Sequence, residues 1–188
     1  MFDRDKAIEY LRTHLSERRV GHSIRVMKMS MELAKIWGVD ESKAEIAGLL
    51  HDSGKWQSKE DALKKIENFG IILENELVYD YNLVHGILGM YIAQNEFGVY
   101  DREVLDAIRY HITGRRNMTM LEKVVYLADK LEQGRDYPRV DEFRELARND
   151  IDKALIAVFG DTVKLLIDRG EFIATDTVEA RNWLLLKE

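Results

Sequence analysis

Apolar residues along this chain recur at spacings of three and four and nowhere sustain the alternation of a half-buried strand, so the pattern predicts helices throughout. The periodic runs place helices over residues 3–16, 19–37, 41–52, 59–69, 82–97, 102–112, 120–132, 139–149, 151–169 and 176–187. Local chemistry agrees with these limits. Ser58-x-x-Asp61 and Thr119-x-x-Glu122 have the form of capping boxes, and Asp3, Asp40, Asp101 and Asp176 stand where N-caps belong. Gly38, Gly70, Gly98, Gly114, Gly134 and Gly170 follow periodic runs, as C-cap glycines do. The stretch from Ile71 to Tyr81 is the least periodic, and its Tyr79-Asp80-Tyr81 reads as a mobile wall beside a site.

At 188 residues, with one proline, no repeat and no low-complexity linker, the chain reads as one all-α domain over 1–188. It contains no cysteine, which excludes disulfides and thiolate metal centres and agrees with a reducing cytosol. No apolar run approaches the roughly 18 residues of a membrane span, so the expectation is a soluble cytoplasmic protein without a membrane partner. A net charge of -6 argues against a nucleic-acid partner. The basic pairs Arg18-Arg19, Lys64-Lys65 and Arg115-Arg116 read as solvated surface. A small anionic substrate remains compatible with an acidic chain if bound cations and a few arginines reverse the field locally.

The candidate chemistry lies in His22, His51-Asp52, His85, His111 and Asp129, which fall where apolar helical faces converge. His22 shares a face with Val26, Met29 and Leu33, spacings of four, three and four, so its imidazole points inward with the stripe. A core histidine bonded to a carbonyl would satisfy the same pattern. Adjacent helical residues diverge by about 100 degrees, so His51 and Asp52 can grip one ion only near a helix end, which Ser53-Gly54 supplies. Asp129 sits at the edge of the buried stripe Leu121, Val124, Val125, Ala128 and Leu131 and needs a partner there. An ion pair with Lys130, Lys123 or an arginine would serve as well as a metal. A site of imidazole and carboxylate suits iron, manganese, cobalt or magnesium. Gly21, Gly48 and Gly86 adjoin these candidates, where a missing side chain permits close approach of helices or of a phosphate. His14 lies on a charged N-terminal helix and reads as surface. There is no GxxxxGK[ST], GxGxxG or HExxH motif, so a P-loop triphosphatase, a dinucleotide oxidoreductase and a zincin all lack their parts.

The order His22, His51-Asp52, Asp129 resembles the HD-domain superfamily of metal-dependent phosphohydrolases. More narrowly, GHSIRVMKMSMELA (21–34), LLHDSGK (49–55), HGILG (85–89), YHITGR (110–115), YLADKLEQGRDYP (126–138) and TDTVEARNWLL (175–185) resemble the YqeK family. That family comprises bacterial symmetrical diadenosine tetraphosphate hydrolases. The resemblance implies an HD-domain helical bundle that holds one or two iron ions and splits diadenosine tetraphosphate into two ADP. It implies His22, His51, Asp52 and Asp129 as metal ligands, with Asp52, His85 and His111 at the chemistry. His85 and His111 would face the phosphates or help hold a second ion. Gly21, Lys55, Ile112, Asp129 and Arg135 would border the nucleotide, and Phe172-Ile173-Ala174-Thr175-Asp176-Thr177 would border the nucleoside. Lys55 and Arg135 are otherwise surface charge, and Phe172 core, with Thr175 or Asp176 a cap. Two further readings stay open, an HD nucleotidase acting on nucleoside mono- or triphosphates and a non-catalytic nucleotide sensor. A homodimer is compatible with the chain and not demanded by it.

Overall fold

The computed structural model describes residues 2–56, 58–73 and 80–187. It contains α1 (Arg4–His14), α2 (Glu17–Trp37), α3 (Glu41–Leu50), α4 (Lys59–Asn68), α5 (Val84–Phe97), α6 (Arg102–Tyr110), α7 (Met120–Leu131), α8 (Val140–Asn149), α9 (Ile151–Arg169) and α10 (Thr175–Leu185), with a single 3-10 turn at Tyr81–Leu83 leading into α5. Among the described residues there is no strand, so the all-α expectation holds. No helix among them is long and apolar enough to cross a membrane.

The predicted caps set most of the boundaries. Asp3, Asp40 and Asp101 each accept a backbone N–H of the first turn, and Thr119 forms the complete capping box with Glu122. Ser58 accepts from the N–H of Asp61. Asp176 is not a cap: α10 begins one residue earlier, with Ala174 as its N-cap and Asp176 within the first turn, where its charge still favours the helix dipole. Gly38, Gly98 and Gly170 close α2, α5 and α9 in the left-handed region. Gly134 does not. α7 already ends at Leu131, and the Gly134 N–H instead donates to Glu132 Oε2 at 2.5 Å. Residues 74–79 of the aperiodic stretch, including Tyr79, lie outside the described residues, while Asp80 Oδ1 accepts from the N–H of Asn82.

α2 is the central beam. It lies along α3 and α7, while α6 packs on α5, α7 and α3, so the inner faces of α2, α3, α5, α6 and α7 meet around one core. Val26, Leu33, Leu49, Leu50, Ile108, Val124, Val125 and Leu127 are fully buried within it. A smaller cluster of Ala62, Ile66, Val84, Leu88 and Ile92 seats α4 against α5. Burial of each Leu, Ile or Val is worth about 1.5–3 kcal/mol, which makes this convergence stiff enough to hold side chains at fixed distances. Two glycines mark close approaches between helices. A Cβ on Gly48 would stand 2.9 Å from the Met27 Cα, and one on Gly86 would stand 2.4 Å from the Arg109 carbonyl oxygen, so the α2–α3 and α5–α6 contacts are backbone to backbone. Gly21 plays no such part, since the nearest atom to its absent Cβ is the Arg25 guanidinium at 3.2 Å.

Candidate metal centre

The candidate ligands are delivered by the ends or edges of α2, α3, α5, α6 and α7. α3 stops at Leu50, and His51–Gly54 form the turn that follows, so His51 and Asp52 are free of helical divergence. His111 caps α6 in the same way, His85 opens α5, His22 projects from the first third of α2, and Asp129 from the last turn of α7. His51, Asp52, His85, His111 and Asp129 are all buried.

The imidazoles are held by their Nδ1 atoms. His51 Nδ1 donates to Gly48 O at 2.8 Å, His85 Nδ1 to Asn82 O at 2.5 Å and His111 Nδ1 to Ile108 O at 2.7 Å. A carbonyl can only accept, so the proton sits on Nδ1 and Nε2 presents a lone pair. His22 Nδ1 donates to the Glu132 carboxylate at 3.1 Å, with the same result. The Nε2 atoms then face one another and the carboxylates. His22 and His51 Nε2 are 3.3 Å apart, His85 and His111 Nε2 are 3.1 Å apart, and His22 Nε2 is 3.0 Å from Asp129 Oδ1. Asp52 Oδ1 lies 3.6 Å from His51 Nε2, 3.3 Å from His85 Nε2 and 3.5 Å from His111 Nε2.

Buried acceptors aimed at acceptors repel unless a cation lies among them. Donor atoms bound at about 2.0–2.2 Å to one ion stand about 3 to 3.6 Å apart, the range seen here. His22, His51 and Asp129 form one candidate ligand trio and His51, Asp52 and His111 another. The donor set is nitrogen and oxygen only, and it fits a divalent metal. Burial lowers His51 to about 4, and it lowers His85 and His111 from the usual histidine value, so all three rings are neutral at pH 7. Burial by itself would raise the Asp52 carboxyl, yet the group is held well below the carboxylate range. Asp129 is likewise held low against its burial, by Lys130 first.

Asp129 is ion-paired and still faces two imidazoles. Lys130 Nζ and Arg135 Nη2 each lie 2.8 Å from its carboxylate while it also faces His22 and His51. Lys123 is not a partner, being paired with Asp152 on α9. Lys55 Nζ lies 3.0 Å from Asp52 Oδ1, so neither Lys55 nor Arg135 is mere surface charge.

Above this cluster opens a cleft of about 340 Å³ whose walls carry Arg18, Arg19, Arg25, Lys55 and Arg135, with His22 and Asp52 reaching it from below. Arg18-Arg19 is thus not simply solvated surface. Arg18, His22 and Arg25 stand at spacings of four and three and share a helical face, a periodic signal present in the sequence. Of the other basic pairs, Lys65 pairs with Glu96, Lys64 with Glu60 and Arg115 with Glu122 and Asp106. His14 is not free surface either: it stacks on Tyr10 with centroids 4.1 Å apart.

Glu132 was not legible as part of the site. It is 1 % exposed and accepts from His22, from Arg25 Nε at 2.5 Å and from the Gly134 N–H. Arg144 of α8 holds the strand of chain that carries it, donating to Leu131 O and Glu132 O at 2.8 Å and to Arg135 O at 2.9 Å. Ile112, next to His111, packs its Cδ1 toward Gly86. Residues 172–177 are not among those lining the cleft. Residues 172–174 join α9 to α10 and 175–177 form the first turn of α10, with Ala174 and Thr177 buried and Phe172 half-exposed.

A family model described as HD domain matches residues 19–134. A Bacillus subtilis protein named "Bis(5'-nucleosyl)-tetraphosphatase, symmetrical" is 40% identical over 183 residues, covering 97% of this chain and 98% of its own. A Halalkalibacterium halodurans protein of the same name is 37% identical over 186 residues, covering 99% of each chain. A crystal structure from Clostridium acetobutylicum, described as a predicted HD superfamily hydrolase involved in NAD metabolism, superposes with a TM-score of 0.94 at 41% identity and covers 100% of both chains.

Proposed function

The chain belongs to the HD domain family, and on that premise we propose that it hydrolyses a bis(5'-nucleosyl) tetraphosphate symmetrically, diadenosine tetraphosphate and water giving two ADP. Residues 1–188 act in this reading as one metal-dependent phosphohydrolase domain that attacks a phosphoanhydride bond. The observation that carries it is the junction of two features, an acceptor-only cluster that fits a divalent ion and a cleft of five cationic side chains directly above it. Near-full-length similarity to proteins named for this reaction supports the choice of substrate.

His22, His51, Asp52 and Asp129 hold the ion, which is iron in this reading, with manganese, cobalt or magnesium as substitutes for a set of nitrogen and oxygen donors. Such an ion, when bound, lowers the pKa of a coordinated water and polarises a phosphoryl oxygen. The protein's own groups do the rest. Arg135 and Lys130 fix the Asp129 carboxylate. His85 and His111 present neutral Nε2 atoms beside Asp52 Oδ1, placed to accept the proton given up in the attack. Lys55 and Arg135 offset charge on the phosphates, so a diphosphate leaving group needs cations rather than a proton donor. Gly21 and Ile112 border the nucleotide, and the Phe172–Thr177 segment borders the nucleoside of the retained half.

Hydrolysis in isotopically labelled water tests the proposal. Expected is ADP alone, with label in the terminal phosphate of half of it, and inhibition by added ADP. AMP and ATP as primary products would refute the symmetrical reading, and a failure of any metal to support turnover of any nucleotide would leave a binding module. Metal analysis of protein purified without chelator decides the iron assignment.

A further inference from the structure

The five cations of the cleft are not equally available to a ligand. Arg25 is bound to Glu132, Arg135 to Asp129 and Lys55 to Asp52, so each shares its charge between a buried carboxylate and any anion in the cleft. Arg19 approaches Asp52 Oδ2 only to 3.9 Å with 48% of its side chain exposed, and Arg18 is paired with no carboxylate among the described residues. Two guanidinium groups with unused donors thus stand at one end of a cleft whose base is the metal-type cluster. Ser16 lines the same end, and its hydroxyl makes no capping bond at the start of α2.

The cleft also has the wrong size and lining for a nucleoside. At about 340 Å³ it is at the small end of small-molecule pockets, about 300–1,000 Å³, and it offers guanidinium groups and an ammonium in place of apolar or aromatic walls. A diphosphate matches it. Guanidinium donors pair bidentately with phosphate oxygens, and a cleft whose five cations face the two carboxylates of Asp52 and Glu132 keeps a net positive lining that concentrates an anion.

Resting on the proposed reaction, we propose that this cleft binds the leaving half of the tetraphosphate, with Arg18 and Arg19 gripping the two phosphates that depart and the second nucleoside extending outward past α2. The cleavage then falls at the midpoint because one diphosphate is held on either side of the ion.

Arg18→Gln/Arg19→Gln, made in the full chain, tests this, with both single variants beside it since each side chain is exposed and little packing is disturbed. With diadenosine tetraphosphate, KM should rise about tenfold per arginine removed, with metal content at the wild-type level and kcat changed less than KM. The wild-type KM should climb with salt and the double variant's less steeply. Arg18→Lys/Arg19→Lys should restore part of the loss, charge without the fork. Inhibition by inorganic tripolyphosphate, which needs the cations and no nucleoside, should weaken in parallel. Wild-type KM and wild-type tripolyphosphate inhibition in all variants would overturn the assignment. If the wild-type protein released no ADP from the dinucleotide while tripolyphosphate binding still depended on Arg18 and Arg19, the reaction would fall and the cleft would stand.

Discussion

Replacing Glu132 by Gln keeps the shape of the side chain and removes the charge that orders His22. The carboxylate accepts from His22 Nδ1 at 3.1 Å, from Arg25 at two nitrogens and from the Gly134 N–H. Glutamine retains one acceptor oxygen and turns a donor toward the Arg25 guanidinium or the His22 ring. A hydrogen bond to a charged group is worth about 1.5–3 kcal/mol, and losing the His22 bond frees the ring to rotate or change tautomer, withdrawing Nε2 from the cluster. At about 1.4 kcal/mol per tenfold, metal affinity should fall about 10–100-fold. The weakened pair with Arg25, whose side chain is 39% exposed, costs up to about 1 kcal/mol, or about 2–4 °C in Tm for a chain of this size. Competition with a fluorescent chelator reads the first quantity and thermal denaturation of metal-free protein the second. Wild-type metal affinity in a folded Glu132→Gln protein would refute the argument, since the carboxylate would then be holding the arginine alone.

Asp52→Asn should remove most bound metal and most turnover with the helical circular dichroism spectrum retained, because it deletes the charge shared by the His51, His85 and His111 nitrogens; unchanged metal content would remove Asp52 from the ligand set. His111→Ala should cut turnover severely while at least one metal equivalent per chain remains, and complete metal loss on elemental analysis would make it a primary ligand. Gly86→Ala should force α5 and α6 apart, since its Cβ would lie 2.4 Å from the Arg109 carbonyl oxygen, at a cost of about 1–3 kcal/mol or more, measurable by urea denaturation. Metal-free protein should lose stability as pH falls from about 6.5 to about 4, because unfolded His51 takes up a proton that the buried ring refuses until its lowered pKa of about 4 is reached. The unfolded state binds more protons across that window, which corresponds to about 3 kcal/mol, and a flat stability profile between those limits would contradict it.

The helices were legible because helix formation is read from neighbours three and four residues apart, and caps such as Asp40, Asp101 and the Thr119–Glu122 box act within a single turn. The same local logic placed His22 on an inward face and required a helix end at His51-Asp52, where α3 does stop. Charges on the helices were harder, because an arginine on an amphipathic surface has the same pattern whether it meets water or a cleft. Arg18 and Arg19 looked like solvated surface, and only the folding of α2 beside the 132–135 segment turned them toward the cluster. Glu132 carried no local signal at all: its partners are 110 and 107 residues away, and Arg144 positions it from another helix. Sequence alone determined which residue types and which helical faces were available for metal chemistry. Tertiary structure alone decided that four imidazoles meet through their Nε2 lone pairs, since that depends on where each Nδ1 proton is bound and on backbone approaches such as that at Gly86, distances set by packing across the whole chain.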